Sequence, residues 1–222
     1  MIIYHGSDKI VTKPLFGYGK RTNDYGSGFY TTENLEIAKE WGCQENENGF
    51  VNMYEIDLDG LKILNLNSSK YNILNWLAIL IKNRTFSSTS LMMKEAKQYL
   101  LDNFLIDTSN YDVIIGYRAD DSYFSFARDF LSNTISLEKL KKAMKLGKLG
   151  TQVFIQSKKA FDKLTFIRYY NVDWKEYYNK KVKRDINARK KYLECKQSIT
   201  KGIYILNIMQ QEMKQNDPRL FM

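Results

Sequence analysis

Asp24-Tyr25-Gly26-Ser27-Gly28-Phe29-Tyr30-Thr31-Thr32 is the stretch that decides the fold of this 222-residue chain. Gly26 and Gly28 allow a positive φ or a close backbone approach to a ligand, and Gly28 to Thr32 then reads as a short strand. Successive side chains of a strand point to opposite faces, so Phe29 and Tyr30 place their rings on opposite sides of a sheet. Upstream, Met1 to Tyr4 is a short apolar run that reads as a first strand, ending at His5-Gly6-Ser7. The loop between these strands carries Pro14, Gly17, Gly19, Asn23, Asp24 and Gly26, which is dense turn chemistry. Downstream, Thr32 is expected to cap a helix with Glu33 in its first turn, Leu35, Ala38 and Trp41 on one face, and Gly42 at its end.

Farther along, Phe50 to Leu58 alternates like a strand, and Leu61 to Leu66 follows the Asp59-Gly60 turn signal, which predicts a hairpin. Helical spacing marks Ser69 to Lys82 and Leu91 to Phe104. Tyr111 to Gly116 reads as a buried strand, followed by the polar cluster Arg118-Ala119-Asp120-Asp121 and a short aromatic helix through Phe130. Ser136 caps another helix, expected to stop at Gly147. A strand over Thr151 to Gln156, a short helix over Ser157 to Leu164 and a last strand over Thr165 to Val172 complete the pattern. Strands and helices mix without βαβ regularity, which argues for an α+β fold, and no Gly-rich phosphate loop of the Rossmann or P-loop kind is present.

The formal charge of +9 is unevenly placed: residues 156–222 hold 16 of the 34 Lys and Arg but 7 of the 25 Asp and Glu. The first 155 residues are therefore neutral, and the excess lies in the last third. From Trp174 onward, Lys and Arg interleave with Tyr177, Tyr178 and Tyr192. This composition suits a surface that neutralises phosphates and stacks bases; it equally suits a solvated helical face whose aromatics pack on the body. The longest apolar stretch, Ile73 to Ile81, falls well short of the roughly 20 residues of a membrane helix, and Met1-Ile2-Ile3-Tyr4 has no basic leader. A cytoplasmic protein with no membrane partner is expected. Cys43 and Cys195 lie far apart beside a single histidine, which argues against a zinc site or a disulfide framework.

That histidine, His5, is the sole candidate for imidazole chemistry, and it stands at a strand end where a side chain can reach a cleft. A lone histidine can also be purely structural. Taken together, Tyr4-His5-Gly6-Ser7, Asp24 to Thr32, Ala38 and Trp41, Tyr111 to Gly116 with Ala119-Asp120-Asp121, and Gln152-Val153-Phe154 resemble the bacterial domain of unknown function 3990. That family is similar in turn to the mono- and poly-ADP-ribosyltransferases of the His-Tyr-Glu class. The resemblance covers roughly residues 1 to 170.

It implies an ADP-ribosyltransferase-like split β-sheet clamp with flanking helices over residues 1–172; the basic, aromatic-rich helical extension over residues 173–222 lies outside it and is read from its own composition. NAD+ would be the substrate, held by His5, Gly6, Ser7, Gly28, Phe29, Tyr30 and Thr31. His5 would hydrogen-bond ribose hydroxyls, the Gly6 backbone would hold the nicotinamide carboxamide, and the Tyr30 ring would stack on the nicotinamide. A flat cationic heterocycle gains about 0.5 to 2 kcal/mol on an aromatic face. The acceptor of ADP-ribose would be a macromolecule, protein or nucleic acid. The expected setting is a toxin–antitoxin or phage-defence module, with an antitoxin as partner.

The third catalytic position departs from the class. Its strand reads Thr151-Gln152-Val153, so the place of the glutamate falls to Gln152, which can hydrogen-bond ribose but cannot act as a base. Asp120 and Asp121 are the available carboxylates, either as auxiliary catalytic groups or as a helix N-terminal pair favoured by the macrodipole. Two other activities stay open: an NAD+ glycohydrolase, and a catalytically silent nucleotide- or nucleic-acid-binding module.

Overall fold

A computed structural model describes residues 1–85, 90–119, 121–197 and 201–221. The chain begins with β1 (Ile2–Ser7), β2 (Phe29–Thr32), α1 (Leu35–Gly42), β3 (Gly49–Ile56) and β4 (Ile63–Asn65). Helices α2 (Ile73–Asn83) and α3 (Leu91–Phe104) lead to β5 (Val113–Tyr117), α4 (Asp121–Leu131) and α5 (Leu137–Ala143). Then come β6 (Thr151–Ile155), α6 (Lys158–Phe161), β7 (Leu164–Val172), α7 (Trp174–Gln197) and α8 (Ile205–Gln210). The result is a mixed α+β fold around one seven-stranded open sheet, in the order β4-β5-β6-β2-β1-β3-β7.

The joint between β1 and β2 is the narrowest in the sheet. Tyr4↔Thr32 is its one register pair, whereas β1 and β3 pair over six positions from Ile2 to Ser7. Beyond Tyr4 the two strands part, and this opening positions the site described below. Phe29 and Tyr30 do project to opposite faces. Phe29 joins a cluster with Ile3, Tyr54, Val153 and Ile155, while Tyr30 packs against the large core built by α2 to α5 and α8 on Phe154, Ile114 and Leu64.

Several boundaries differ from the sequence expectation. Thr32 ends β2 and does not cap α1; its hydroxyl donates to the Thr151 carbonyl, and Asn34 caps the helix by accepting from the Glu36 and Ile37 amides. Helix α2 starts at Ile73 under an Asn72 cap rather than at Ser69, and α5 ends at Ala143 before reaching Gly147. The hairpin predicted across Asp59-Gly60 does not form. Both edges of β3 are occupied by β1 and β7, so β4 crosses to the far side of the sheet and pairs in parallel with β5.

Helix α1 lies unusually close to the sheet. A Cβ at Gly6 would overlap the Ala38 carbonyl oxygen and approach the Gly42 amide nitrogen within 2.6 Å. Packing against α1 therefore demands glycine at position 6. The basic tail divides as its chemistry suggests. Trp174, Tyr177 and Tyr178 pack on Ala38, Cys43, Val51 and Val172, and Tyr192 is buried against Phe126 with its hydroxyl on Asp129. The tail aromatics are thus packing groups, while most of its cations face outward.

Candidate active site

The opening between β1 and β2 leads into a cleft of about 280 Å³ lined by His5, Asp24, Tyr30, Arg84, Arg118 and Gln152, with Asn23 and Ala119. Three strands deliver the expected catalytic triad: β1 carries His5, β2 carries Tyr30 and β6 carries Gln152. Thr32↔Gln152 and Tyr30↔Phe154 fix the β2–β6 register, which sets Gln152 and Tyr30 on the same face.

His5 bridges the open joint. Its Nδ1 lies 2.8 Å from the Tyr30 carbonyl oxygen, and its ring tilts on Phe29 at a centroid distance of 4.4 Å. A carbonyl only accepts, so Nδ1 carries the proton. Burial pushes the imidazole pKa below its ordinary 6.5, against the opposing pull of the Tyr30 carbonyl and Asp8. The neutral ring therefore keeps Nε2 as a hydrogen-bond acceptor, the role a sugar hydroxyl requires.

Tyr30 is disqualified from proton chemistry. Its hydroxyl donates to the Gly26 carbonyl at 2.7 Å and accepts from the Tyr25 amide at 3.0 Å, and burial holds the phenol well above its ordinary pKa. What it offers is a ring face, braced by Phe154 at 4.7 Å. Gln152 is 3% exposed, and its Oε1 has no hydrogen-bond partner among the described residues. An unmet buried amide oxygen carries a desolvation penalty of about 1–3 kcal/mol, which a ligand hydroxyl in the cleft would relieve.

The Gly6 backbone is aimed at the joint. Met1 exchanges both of its backbone bonds with Ile56, so the odd-numbered residues of β1 bond to β3 and the even-numbered ones point toward β2. Tyr4 finds Thr32 there, and Gly6 lies beyond that last pair. The other residues expected to hold the ligand also have roles within the fold. The Ser7 hydroxyl donates to the Lys9 carbonyl and accepts from Asn52, and the fully buried Thr31 hydroxyl donates to the Val153 carbonyl. Phe29 supports the imidazole, and a Cβ at Gly28 would collide with the Phe154 ring. Asp120 lies outside the described residues; Asp121 opens α4, and its side chain is not among those described.

Residues 1–166 match the family model of a protein of unknown function, DUF3990. The chain belongs to the DUF3990 family. No curated protein and no solved structure matches it. The DUF3990 match ends within β7, so α7 and α8 lie outside it.

The DUF3990 cleft also holds charged groups that were not among the expected site residues. Asp24 is 4% exposed, its Oδ1 sits 2.7 Å from Arg84 Nε, and its Oδ2 accepts from the Ala119 amide at 2.9 Å. This ties the loop before β2, the end of α2 and the segment after β5 together behind the cleft. Arg118 lies over the Trp41 ring at 3.5 Å. Asp24 and Arg118 stood in stretches legible as turn and polar cluster, but Arg84 follows an apolar helix with nothing local to mark it. With His5 neutral, two guanidinium groups stand against one carboxylate among the described lining residues, a balance that suits a phosphate-bearing ligand.

The lowered His5 pKa has a consequence for stability. The unfolded chain takes up a proton near pH 6.5 while folded His5 resists it, so this contribution is complete above that pH and is lost as pH falls toward the lower folded pKa. Denaturant midpoints of wild type are expected to fall between neutral pH and pH about 5.5, with a smaller fall in His5→Gln. Equal falls in the two proteins would show that His5 is not the group responsible.

Proposed function

We propose that the cleft binds NAD+ and that the protein is an ADP-ribosyltransferase, breaking the nicotinamide–ribose bond and passing ADP-ribose to a macromolecular acceptor. The observation that carries this reading is the convergence of His5, Tyr30 and Gln152 on one cleft with Arg84 and Arg118. Each group has chemistry suited to one part of the dinucleotide. The Tyr30 ring faces the nicotinamide, and the Gly6 amide and carbonyl meet its carboxamide across the open joint. His5 Nε2 and Gln152 Oε1 accept from ribose hydroxyls, and the arginines attract the diphosphate.

When the glycosidic C–N bond breaks, its electron pair goes to the pyridinium nitrogen and neutral nicotinamide departs. The ribose becomes oxocarbenium-like, and an acceptor lone pair then forms the new bond at the anomeric carbon. Gln152 orients the ribose in that state but takes no proton. The acceptor is accordingly one that is already nucleophilic or loses its proton to solvent. As a biological setting we propose a toxin of a toxin–antitoxin or phage-defence module, held in check by an antitoxin.

Incubation with NAD+ labelled in the adenylate portion, together with cellular RNA, DNA and protein, tests the reading. Nicotinamide release with label appearing in one macromolecular fraction is expected. Free ADP-ribose in equal yield with nicotinamide, and no labelled macromolecule, would replace the transferase with a glycohydrolase. Absence of nicotinamide release would remove the enzyme reading and leave a nucleotide-binding module.

A further inference from the structure

The cations that α7 turns outward are not scattered. Lys180, Lys183, Arg184, Asn187 and Lys191 line one side of a groove of about 420 Å³, and Lys148, from the segment before β6, faces them. Ile37 and Leu146 also line it, and no acidic residue is among the lining residues. Lys180 pairs with Glu36 and Glu176, and Arg184 with Glu40. Lys148, Lys183 and Lys191 are exposed and have no carboxylate partner among the described residues. This cluster is not a tail property alone, since Lys148 comes from the body of the fold.

We propose that this groove binds the backbone of a single-stranded nucleic acid. The α7 positions recur at intervals of three and four residues, so they form a straight row about 16 Å long at 1.5 Å per residue, with a polar group on each turn. An evenly spaced row fits an evenly charged polymer, and Asn187 adds a neutral donor for sugar or phosphate oxygens. A groove of about 420 Å³ suits the backbone of one strand better than the face of a duplex.

A lipid surface fits the same cations poorly. The exposed apolar residues of α7, Val182, Ile186 and Leu193, lie roughly opposite the groove at about 100° per residue, so a bilayer taking the lysines would leave them in water. The inference stands apart from the NAD+ reading, because binding is measured without NAD+.

Fluorescence anisotropy of a labelled single-stranded oligonucleotide, titrated with the full chain between about 50 and 200 mM salt, tests it. Wild type is expected to bind with a steep salt dependence. The triple variant Lys148→Ala/Lys183→Ala/Lys191→Ala is expected to bind more weakly, with a slope of log K against log[salt] shallower by about 2, at roughly 0.7 for each phosphate that is no longer neutralised. All three side chains are exposed, and an unchanged melting temperature verifies folding. No binding by wild type, or an unchanged slope in the folded triple variant, would overturn the proposal. Tighter binding of a duplex of the same sequence, of poly-glutamate, or of phosphatidylserine vesicles would overturn it too.

Discussion

Replacing His5 by alanine is expected to lower nicotinamide release from NAD+ by about 100-fold or more, the magnitude typical of removing one preorganised hydrogen-bonding group from a reaction site. Two interactions vanish together. The Nε2 acceptor for ribose is lost, and so is the Nδ1–H donor that reaches the Tyr30 carbonyl at 2.8 Å and keeps the parted strands β1 and β2 in register. The unmet carbonyl costs about 1–3 kcal/mol of stability, so a lower denaturation midpoint is expected alongside. His5→Gln separates the effects: its amide can donate to Tyr30 and still present an oxygen, so folding should recover more fully than turnover. A folded His5→Ala protein that releases nicotinamide at the wild-type rate would exclude His5 from the chemistry.

Gln152→Glu is expected to change activity in the opposite direction, raising nicotinamide release about 10-fold or more. A carboxylate beside the anomeric carbon stabilises developing positive charge, as paired carboxylates do in glycoside hydrolysis, whereas an amide oxygen carries only a partial charge. The gain opposes a folding penalty, because the position is 3% exposed and a buried carboxylate is costly without partners. Arg84 and Arg118 line the same cleft and offset part of that penalty. Denaturation should therefore show a loss of stability while turnover rises. Unchanged or reduced turnover in the folded variant would mean that Gln152 does not face the reacting carbon.

What could be read from the sequence follows from where the determining contacts lie. The strands that carry His5, Tyr30 and Gln152 were legible because each depends on a short run: an apolar run ending at His5, a glycine pair before alternating rings, and the apolar stretch after Thr151; the choice of Gln152 itself rests on the family resemblance. The pairing of β4 was not, because it depends on the occupation of β3 by β1 and β7, and β7 enters the chain a hundred residues later. Arg84 was invisible for the same kind of reason. Its place in the cleft is set by Asp24 and the Ala119 backbone, neither near it in sequence. The glycines carry a constraint that no short run shows: helix α1 and Phe154 fill the space that the missing side chains of Gly6 and Gly28 leave. Charge was placed correctly as a property of the last third, but a groove needed Lys148 from the body to close it.

The central claim is that NAD+ sits in the cleft with its nicotinamide on the Tyr30 ring. Calorimetric titration of NAD+ into wild type and into Tyr30→Ala tests it most directly, because binding is read before any chemistry or acceptor enters. One site per chain is expected in wild type. Affinity should fall about 10-fold in the variant, within the range of about 0.5 to 2 kcal/mol for a cation on an aromatic face, while Tyr30→Phe, which keeps the ring, stays closer to wild type. No NAD+ binding by wild type, or equal affinity in wild type and folded Tyr30→Ala, would contradict the account.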